Sequence, residues 1–434
     1  MYIDSLGQVG TSTCPFCILL LPSKAVSLSL ERIAMKRSVL KFGGSSVSDL
    51  SKIKEIALYL KERTDQGEQL VVVVSAMGKT TDDLLRNVGQ ITSKPNDQDL
   101  AMLLTTGEQQ TISYLSITLN DLAVKAKPLT GYQAGIETIG HHLKSKISSI
   151  KTDLFDRLFE TNRVVIVAGF QGFNKEGELT TLGRGGSDTT AVALAAALKT
   201  TCEIYTDVTG VYSTDPRIFP KAKRWDKISY EEMMEMSALG AGVLETRSVE
   251  LANNNGIKLY LAKTLSKEKG TWIVPNEQIL EHKAVTGVAL DKNMAHVTLT
   301  DPSNGAQLLN DIFVELEKEE INIDMISQIR NQDVMQLSFT AKDSDERQLV
   351  QIFDQLKGHY HDLTVSIVDH YAKISVIGAG MRDMSGVASQ IFRTLIESDI
   401  TYYQVTTSEI SVSCVIDETN GEKATKLLCE KFDL

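Results

Sequence analysis

The residues best suited to chemistry lie in a glycine-rich stretch at 180–190, which reads TTLGRGGSDTT. Two adjacent glycines let the backbone approach a ligand closely. Ser187 and Asp188 then begin a predicted helix, whose first N–H groups and dipole favour an anion. Arg184 beside them can bind a carboxylate or phosphate through two parallel hydrogen bonds. The stretch therefore predicts a binding site for a small acidic molecule.

A second glycine-rich stretch reads KFGGSSV at 41–47 and follows an apolar pair. A strand that runs into Gly-Gly-Ser-Ser and then into a helix forms a phosphate cradle, with Lys41 as its point charge. The lysine precedes the glycines, so the pattern differs from a P-loop. On its own the stretch fits a plain strand-to-helix turn equally well. Together with the Arg184 stretch it indicates a phosphate-bearing ligand.

A third stretch, 204–217, begins with a short apolar strand. This predicted strand ends at Thr206 and Asp207. Open α/β sheets bind ligands at this end of their strands. Tyr212 could cover a flat base, and Arg217 could reach phosphates. The Thr-Gly and Asp-Pro pairs of this stretch also predict plain β-turns. We expect both the turns and a site built on them.

The elements that must position these stretches follow from the apolar pattern. Short apolar runs typical of central strands alternate with longer helical patterns, which predicts a mainly parallel sheet with helices on both faces. The predicted strands are 39–41, 71–74, 164–167, 202–205 and 257–261, and the predicted helices are 50–63, 100–119 and 187–199.

Five segments occur in the order in which aspartate kinases carry them, and the chain from about Lys36 onward resembles that family. The segments are KFGGSSV (41–47), TTGE (105–108), VAGFQG (167–172), LGRGGSD (182–188) and YTDVTG (205–210). The resemblance implies an α/β amino-acid-kinase fold, a three-layer sandwich with a mainly parallel central sheet, followed by two ferredoxin-like (βαββαβ) ACT domains. It also implies transfer of the ATP γ-phosphate to the side-chain carboxylate of L-aspartate, the first step towards lysine, threonine and methionine.

The resemblance further implies residue roles. Lys41 would bridge the β- and γ-phosphates, and Asp188 would orient Lys41 and keep it protonated. Arg184 would bind the α-carboxylate of aspartate and Glu108 its ammonium group, with Thr81 completing the pocket. The other implied contacts are Gly185, Gly186 and Ser187 around aspartate, and Phe42, Gly43, Gly44, Ser75, Thr206, Asp207, Tyr212 and Arg217 around the nucleotide.

The implied reaction suits these residue types. A carboxylate nucleophile is already ionised near neutral pH, so no general base is required. Catalysis then reduces to positioning and to neutralising charge, with Mg²⁺ bridging phosphates through few protein ligands. Alternatives stay open for three residues. Glu108 could be a surface residue in the first turn of a helix, and Ser75 and Thr81 could be cap or turn residues.

One segment departs from the family pattern. Many aspartate kinases read GAKVLHP where this chain reads GAGVLET at 240–246. Gly242 therefore replaces a lysine that contacts nucleotide in the relatives that have it. Glu245 replaces a histidine and adds a negative charge. The exchange leaves the nucleotide affinity open, but not the reaction.

The C-terminal part contains a repeat. A strand-helix-strand pattern at 297–324 recurs at 373–402, and both helices carry the i, i+3, i+4, i+7 apolar stripe of one buried face. The stripe positions are Leu309, Ile312, Phe313 and Leu316 in the first helix and Ala388, Ile391, Phe392 and Leu395 in the second. These units resemble paired ACT domains, which in this family bind feedback inhibitors. The effector stays open between lysine, threonine or both, and a purely structural dimerisation module is the alternative. The matching effector positions are Asp301, Ser303, Gly305, Asp324, Met325 and Gln328.

Composition bounds the remaining questions. The chain has 434 residues, a net charge of -11 and 42% hydrophobic residues, which suits a soluble protein of two or three domains. The negative balance argues against nucleic acid or an anionic membrane as a partner. The predicted division is an N-terminal extension at 1–34 (non-native or disordered), a catalytic domain at 35–268, and ACT domains at 283–367 and 368–434.

Cysteine usage favours a reducing cytoplasm, because five cysteines show no disulfide framework. Cys14 and Cys17 form a lone C-x-x-C pair, and a zinc site would need a second pair. Family members are often dimers or tetramers, so a homo-oligomer is expected.

Two alternatives to an aspartate kinase stay open. The chain could be a catalytically inactive amino-acid sensor, although the presence of Lys41, Arg184 and Asp188 argues against it. It could also be a sister amino-acid kinase with another acidic substrate, since the fold alone does not set the substrate. The Glu108 segment and the ACT pair favour aspartate.

Overall fold

The computed structural model describes residues 36–281, 283–301, 306–331 and 334–434. The strands are β1 Arg37–Phe42, β2 Gln69–Val74, β3 Ala126–Leu129, β4 Ile136–Ile139, β5 Lys146–Ile150, β6 Val164–Ala168, β7 Gln171–Phe173, β8 Leu179–Thr181, β9 Cys202–Thr206, β10 Lys227–Ser229, β11 Leu259–Lys263, β12 Thr271–Val274, β13 Gly287–Asp301, β14 Ile323–Asn331, β15 Val334–Lys342, β16 Thr364–Ile377, β17 Tyr402–Thr407 and β18 Ser411–Asp417.

The α-helices are α1 Leu50–Asp65, α2 Thr80–Ile91, α3 Asp97–Leu104, α4 Thr106–Asp121, α5 Asp153–Phe159, α6 Gly186–Ala197, α7 Tyr230–Met236, α8 Thr246–Asn254, α9 Ala306–Lys318, α10 Glu346–Lys357, α11 Val387–Glu397 and α12 Gly421–Lys431. A π-helical turn, Ser237–Ala241, follows α7, and short 3₁₀ turns occupy Asn276–Gln278, Asp343–Asp345, Ala379–Arg382 and Glu418–Asn420. None of the helices in the described ranges is both long enough and apolar enough to cross a membrane.

The central sheet has the strand order β10-β12-β11-β9-β1-β2-β6-β3, and the strands from β11 to β3 run parallel. Its middle strands are continuous apolar runs because both of their faces are covered. Val71 and Val73 pack with α6 and α8 on one face, whereas Val72 and Val74 pack with α1 and α4 on the other. The predicted three-layer sandwich is confirmed. A smaller sheet has the order β5-β4-β7-β8.

Most predicted elements are confirmed, with small shifts of their ends. The prediction of a single helix at 100–119 is wrong. The chain forms α3 and α4 instead, separated at Thr105. The side chain of Gln171 donates a hydrogen bond to the Thr105 carbonyl (3.0 Å). A Cβ on Gly107 would lie 2.8 Å from the Cβ of Ala76, so α4 begins in close contact with the loop after β2. The break therefore directs the first turn of α4 at the carboxyl end of the sheet.

The C-terminal sheet is antiparallel and has the order β14-β15-β13-β16-β18-β17. Its two long strands each serve two units. Val297 on β13 pairs with Ile367 on β16, next to β15 and β14, whereas Val288 pairs with Val376, next to β18 and β17. Each half has the strand order of a βαββαβ unit, as expected for paired ACT modules. The boundary at 367/368 stays a prediction, but the second unit takes one strand from the range predicted for the first.

The predicted repeat of buried helix positions is confirmed in part. Ile312 and Leu316 on α9 are buried, as are Ile391 and Leu395 on α11. Phe313 is 37% exposed, contrary to the expectation that it belongs to the buried stripe. Leu308, which the stripe omitted, is fully buried in its place.

Helix α7 joins the kinase part to the C-terminal sheet through a buried carboxylate. Glu232 is 3% exposed and accepts hydrogen bonds from the Thr286 hydroxyl (2.5 Å), the Ala379 N–H (3.2 Å) and the Ser229 hydroxyl (2.8 Å). The neighbouring Met233 and Met236 are buried in the core.

Removing this carboxylate should destabilise the protein. Glu232→Ala removes the acceptor of two hydroxyls and of two N–H groups, those of Ala379 and Ser229, and each unsatisfied buried group costs about 1–3 kcal/mol. We expect the free energy of unfolding to fall by about 3 kcal/mol or more, measured by urea unfolding. Glu231→Ala, on the half-exposed face of the same helix, is the control and should change it by less than about 1 kcal/mol. Equal effects of the two variants would show that Glu232 does not stabilise this junction.

Candidate active site

A cavity of about 520 Å³ opens at the carboxyl end of the central sheet, between β1, β2 and the start of α6. It brings together residues from all three layers of the kinase part. Ten predicted site residues line it, namely Lys41, Gly44, Ser75, Thr81, Glu108, Arg184, Gly185, Gly186, Ser187 and Asp188. We call it the first cavity.

An ion pair lies at its base. The Nζ of Lys41, near the end of β1, is 2.5 Å from Oδ1 of Asp188 in the first turn of α6. The two side chains are only 10% and 14% exposed. β1 lies between β2 and β9, with Lys41 in register with Val73 and Ile204, so the sheet holds its backbone rigidly. The pair places a fixed positive charge where a phosphate could approach.

The turn that follows β1 suits an anion. The Gly43 carbonyl accepts the N–H groups of Ser46 and Val47, whereas those of Gly44 and Ser45 have no acceptor in the described part of the chain. A Cβ on Gly44 would lie 3.0 Å from a backbone carbonyl oxygen, so a side chain at this position would crowd the loop after β2. These free amides and the nearby ammonium group match a phosphate cradle.

The side chain of Phe42 packs in the core and does not face a ligand. Its ring is fully buried and stacks on the ring of Tyr205, with centroids 5.1 Å apart. Only the backbone of Phe42 is therefore available to a ligand. The ring fixes the turn against β9, and the Ser46 hydroxyl adds a 2.6 Å contact to the Thr264 hydroxyl.

The Arg184 turn combines backbone freedom with an unpaired cation. Gly183 and Gly185 adopt left-handed conformations with φ of 76° and 66°, which glycine reaches without strain. Arg184 is exposed, lines the cavity and has no ion-pair partner among the described residues. Ser187 is buried against Gly169, where a Cβ would lie 2.7 Å from its Oγ. This contact explains why the VAGF segment accompanies the turn.

Glu108 is buried, and the alternative of a surface glutamate is wrong. It lies in the first turn of α4 and is 3% exposed. Its Oε1 accepts the Ala76 N–H (3.1 Å), whereas its Oε2 has no hydrogen-bond partner among the described residues. Burial raises the pKa of this carboxyl to about 7. An orphaned carboxylate oxygen at a cavity is suited to bind a cation such as an ammonium group.

A second cavity, of about 480 Å³, lies at the carboxyl end of β9. Thr206, Asp207, Tyr212 and Arg217 line it together with Gly242. The Tyr212 hydroxyl is 2.5 Å from that of Thr209, and the exposed Arg217 forms an ion pair with Asp215 (2.7 Å). The predicted Asp-Pro turn is present, since the Ile218 N–H donates to the Asp215 carbonyl (3.0 Å), whereas the described residues 207–210 form a bend without such a hydrogen bond. Residues on both segments line the cavity.

The segment at 240–246, which departs from the family pattern, places its two exchanged residues near different cavities. Gly242 adopts a φ of 60° and lines the second cavity, as expected for a position near nucleotide. Glu245 lies elsewhere, because a Cβ on Gly185 would be 2.5 Å from its Cβ. The added negative charge therefore lies beside the Arg184 turn.

The predicted effector positions lie on the first C-terminal unit. Asp324 forms an ion pair with the buried Lys373, and the carbonyl of the adjacent Met325 accepts a hydrogen bond from Gln404. Gln328 follows on β14 and is exposed, whereas Asp301 is buried at the end of β13. Ser303 and Gly305 lie outside the described residues.

Within one chain the effector positions do not form one cluster. Asp301 is in register with Met335 on β15, whereas Asp324 is in register with Thr340 on the same strand. These two partners lie five residues apart along β15, which corresponds to roughly 16 Å at about 3.3 Å per residue. Asp301 and Asp324 are therefore offset by about that distance along the strand direction.

Sequence reasoning missed several residues at the first cavity, among them Leu143 and Arg247. Leu143 lines it from the loop that precedes β5. Arg247 on α8 does not line the cavity but donates hydrogen bonds to the carbonyls of Leu182 (3.1 Å) and Ser145 (3.0 Å). No motif indicates either residue. For Arg247, the one indication in the sequence is that it directly follows the segment that departs from the family pattern.

Comparisons with known proteins agree with this geometry. Residues 36–263 match the model of the amino acid kinase family, and residues 374–432 match an ACT domain. Aspartokinase 2 of Bacillus subtilis is 42% identical over 397 residues, which is 91% of this chain and 97% of that one. The aspartate kinase Ask_LysC of Stutzerimonas stutzeri is 38% identical over 399 residues, again 91% and 97% of the two chains.

Among solved structures, E. coli aspartokinase III in complex with aspartate and ADP superposes with a TM-score of 0.74. It is 22% identical, and the match covers 92% of this chain and all of the other, which supports the fold. The sequence relatives, the two domain matches and the fold together show that the chain belongs to the aspartate kinase family.

Proposed function

We propose that the chain phosphorylates the side-chain carboxylate of L-aspartate with ATP, giving ADP and 4-phospho-L-aspartate. The observation that carries the proposal is the charge pattern of the first cavity. It holds the Arg184 guanidinium and one Glu108 carboxylate oxygen, neither of which has a partner among the described residues, and a buried lysine–aspartate pair. Aspartate presents one carboxylate and one ammonium group to the first two, and its second carboxylate is left for the reaction.

The residues then divide the work by charge. Arg184 binds the α-carboxylate and Glu108 the ammonium group, so the side-chain carboxylate is directed towards Lys41. A carboxylate oxygen attacks the γ-phosphorus, and the bond to the β–γ bridging oxygen breaks as ADP leaves. Lys41, which Asp188 orients, neutralises charge that develops on the phosphoryl oxygens. No proton is removed from the nucleophile, because it is already ionised.

The nucleotide is proposed to extend from the phosphate turn after β1 to the second cavity. Phe42, Gly43 and Gly44 supply backbone contacts to phosphates, and Ser75 lines the approach. Thr206, Asp207, Tyr212 and Arg217 bound the remaining part of the nucleotide. Mg²⁺ would bind phosphate oxygens and water, since the described residues contain no group of three metal-ligating side chains.

Regulation is proposed to act through the C-terminal units, with lysine, threonine or both as effector at Asp301, Asp324, Met325 and Gln328. E. coli aspartokinase III has been solved in complex with lysine and aspartate, which supports an amino-acid effector. We also propose a homo-oligomer and a cytoplasmic location. The buried, unpaired thiols of Cys202, Cys414 and Cys429 support a reducing compartment.

Coupled ADP release from purified protein with Mg-ATP tests the proposal. Turnover that depends on L-aspartate and is much slower with L-glutamate is expected. Depression of this turnover by lysine, threonine or their mixture would identify the effector. Turnover with another acidic substrate alone would indicate a sister kinase, and thermal stabilisation by an amino acid without turnover would indicate a sensor.

The buried carboxyl of Glu108 predicts a pH dependence. Its pKa is raised to about 7, so below that pH the group is neutral and pairs poorly with the ammonium group of aspartate. The KM for aspartate should therefore fall as pH rises towards about 7 and level off above it. One linked proton gives roughly a tenfold change in KM per pH unit below the pKa.

The matched variant is Glu108→Gln, which keeps the size of the side chain but does not titrate in this range. Its KM for aspartate should be high and nearly independent of pH between 6 and 8. A variant that retains the slope would show that another group titrates.

A further inference from the structure

Arg247 connects two carbonyl groups beside the first cavity. It is half-buried in the first turn of α8, and its Nη1 and Nη2 donate to the carbonyls of Leu182 and Ser145 at 3.1 and 3.0 Å. The planar guanidinium presents its donors in a fixed fork, so the two bonds set the separation of their acceptors. Leu182 immediately precedes the Arg184 turn. Ser145 ends the loop from which Leu143 lines the cavity.

The Arg184 turn is held mainly at its two ends. Both of its glycines have left-handed backbone conformations, and Arg184 has no side-chain partner among the described residues. Within the turn, the Gly186 N–H is bound to the Gly183 carbonyl (3.1 Å). At one end the Leu182 N–H is bound to the Phe170 carbonyl (2.9 Å) and the neighbouring Thr181 is bonded to the loop at 142–145, and at the other end the Gly185 carbonyl accepts the N–H groups of Asp188 and Thr189. The position of the turn therefore depends on the elements that anchor these two ends.

The start of α8 contacts the turn at both ends. Arg247 binds the carbonyl before it, and the side chain of Glu245 fills the space beside Gly185. These two residues are close in sequence and belong to one rigid element, so they fix the two ends of the turn relative to each other. Neither Glu245 nor Arg247 has a role in the proposed phosphoryl transfer itself.

We propose that Arg247 is a positioning residue for the carboxylate-binding turn, acting through the Leu182 and Ser145 carbonyls to set where the Arg184 guanidinium stands. The inference rests on the proposed role of Arg184 in binding the α-carboxylate of aspartate. Arg247 itself does not touch the substrate. Its effect should fall mainly on the affinity for aspartate, because the phosphate turn follows β1 and the second cavity lies at the end of β9, neither of which Arg247 contacts.

The test compares Arg247→Met and Arg247→Lys in the full chain. Methionine keeps the apolar stem but donates no hydrogen bond, and we expect the KM for aspartate to rise about tenfold. The kcat and the KM for ATP should stay within about twofold of the original. Lysine restores the charge but not the paired donors of the guanidinium group. The KM of Arg247→Lys for aspartate should therefore lie between those of the original protein and of Arg247→Met. Arg157→Met, on the exposed face of α5, is the matched control and should change none of these values.

A double variant separates this inference from the role of Arg184. If Arg247 acts through Arg184, then Arg184→Ala with Arg247→Met should have the same KM for aspartate as Arg184→Ala alone. Independent, multiplying increases would overturn the inference, as would an equal rise in the KM for ATP or an unchanged KM for aspartate. If Arg184→Ala alone leaves that KM unchanged, the role of Arg184 fails instead. Should the methionine variant not fold, the same KM comparison on the lysine variant decides.

Discussion

Replacing Lys41 by methionine is expected to lower kcat by about 10³-fold or more. The ammonium group is the cation that the sheet holds against the site of phosphoryl transfer, 2.5 Å from Asp188. Losing one preorganised electrostatic contact to a transition state costs about 10²–10³ in kcat, and a full positive charge on a transferring phosphoryl group is worth at least that. Methionine has a similar length and no charge, so the shape of the site is retained.

The variant needs a partner, because Lys41→Met leaves Asp188 largely buried without its cation. Such a loss can destabilise a fold by itself. The double variant Lys41→Met with Asp188→Asn removes both charges and should keep a thermal midpoint close to the original. It should be as inactive as the single variant in a coupled ADP-release assay. Turnover within about tenfold of the original in either folded variant would remove Lys41 from the mechanism.

The second large effect concerns Arg184. Arg184→Ala is expected to raise the KM for aspartate by about 10²-fold, with the KM for ATP within about twofold. The side chain is exposed and has no ion-pair partner in the described part of the chain, so its loss removes little from the fold. A charge-assisted hydrogen bond contributes about 1.5–3 kcal/mol, and a bidentate pair approaches or exceeds a hundredfold change in affinity.

Steady-state kinetics with each substrate varied in turn make this measurement. Arg184→Lys should restore only part of the affinity, since an ammonium group cannot form the planar pair. Arg86→Ala is the control, because Arg86 is also exposed and lies on α2 beside the same cavity, where it forms a surface ion pair with Asp83 (2.8 Å). An unchanged KM for aspartate in Arg184→Ala would place the carboxylate-binding group elsewhere.

The sequence by itself determined the elements and their chemistry. Continuous apolar runs such as 71–74 have one stable place, the middle of a sheet covered on both faces. Glycine pairs at 43–44 and 185–186 identify tight turns in the sequence, and the structure shows that a Cβ on Gly185 would lie 2.5 Å from the Cβ of Glu245. The resemblance to the kinase family implied that Asp188 orients Lys41, and the two side chains form an ion pair. These features depend on local sequence and on general rules of sheet topology.

Burial was decided only by the tertiary structure. Glu108 reads equally well as a surface residue of a first helical turn, and only the packing of α4 against Ala76 buries it and raises its pKa. The break between α3 and α4 has the same origin, since Gln171, far along the chain, binds the Thr105 carbonyl. No periodicity in the sequence encodes contacts of this kind.

Long-range pairing was likewise decided only by the fold. The first half of β13 joins a unit whose other strands lie beyond residue 370, although a linear repeat suggests two consecutive modules. Glu245 and Arg247 contact the Arg184 turn because α8 packs beside it, not because of any motif that they carry. The physical reason is common to these cases. A residue type and its near neighbours determine local conformation and available chemistry, whereas burial and partners depend on segments that the fold brings together from distant parts of the chain.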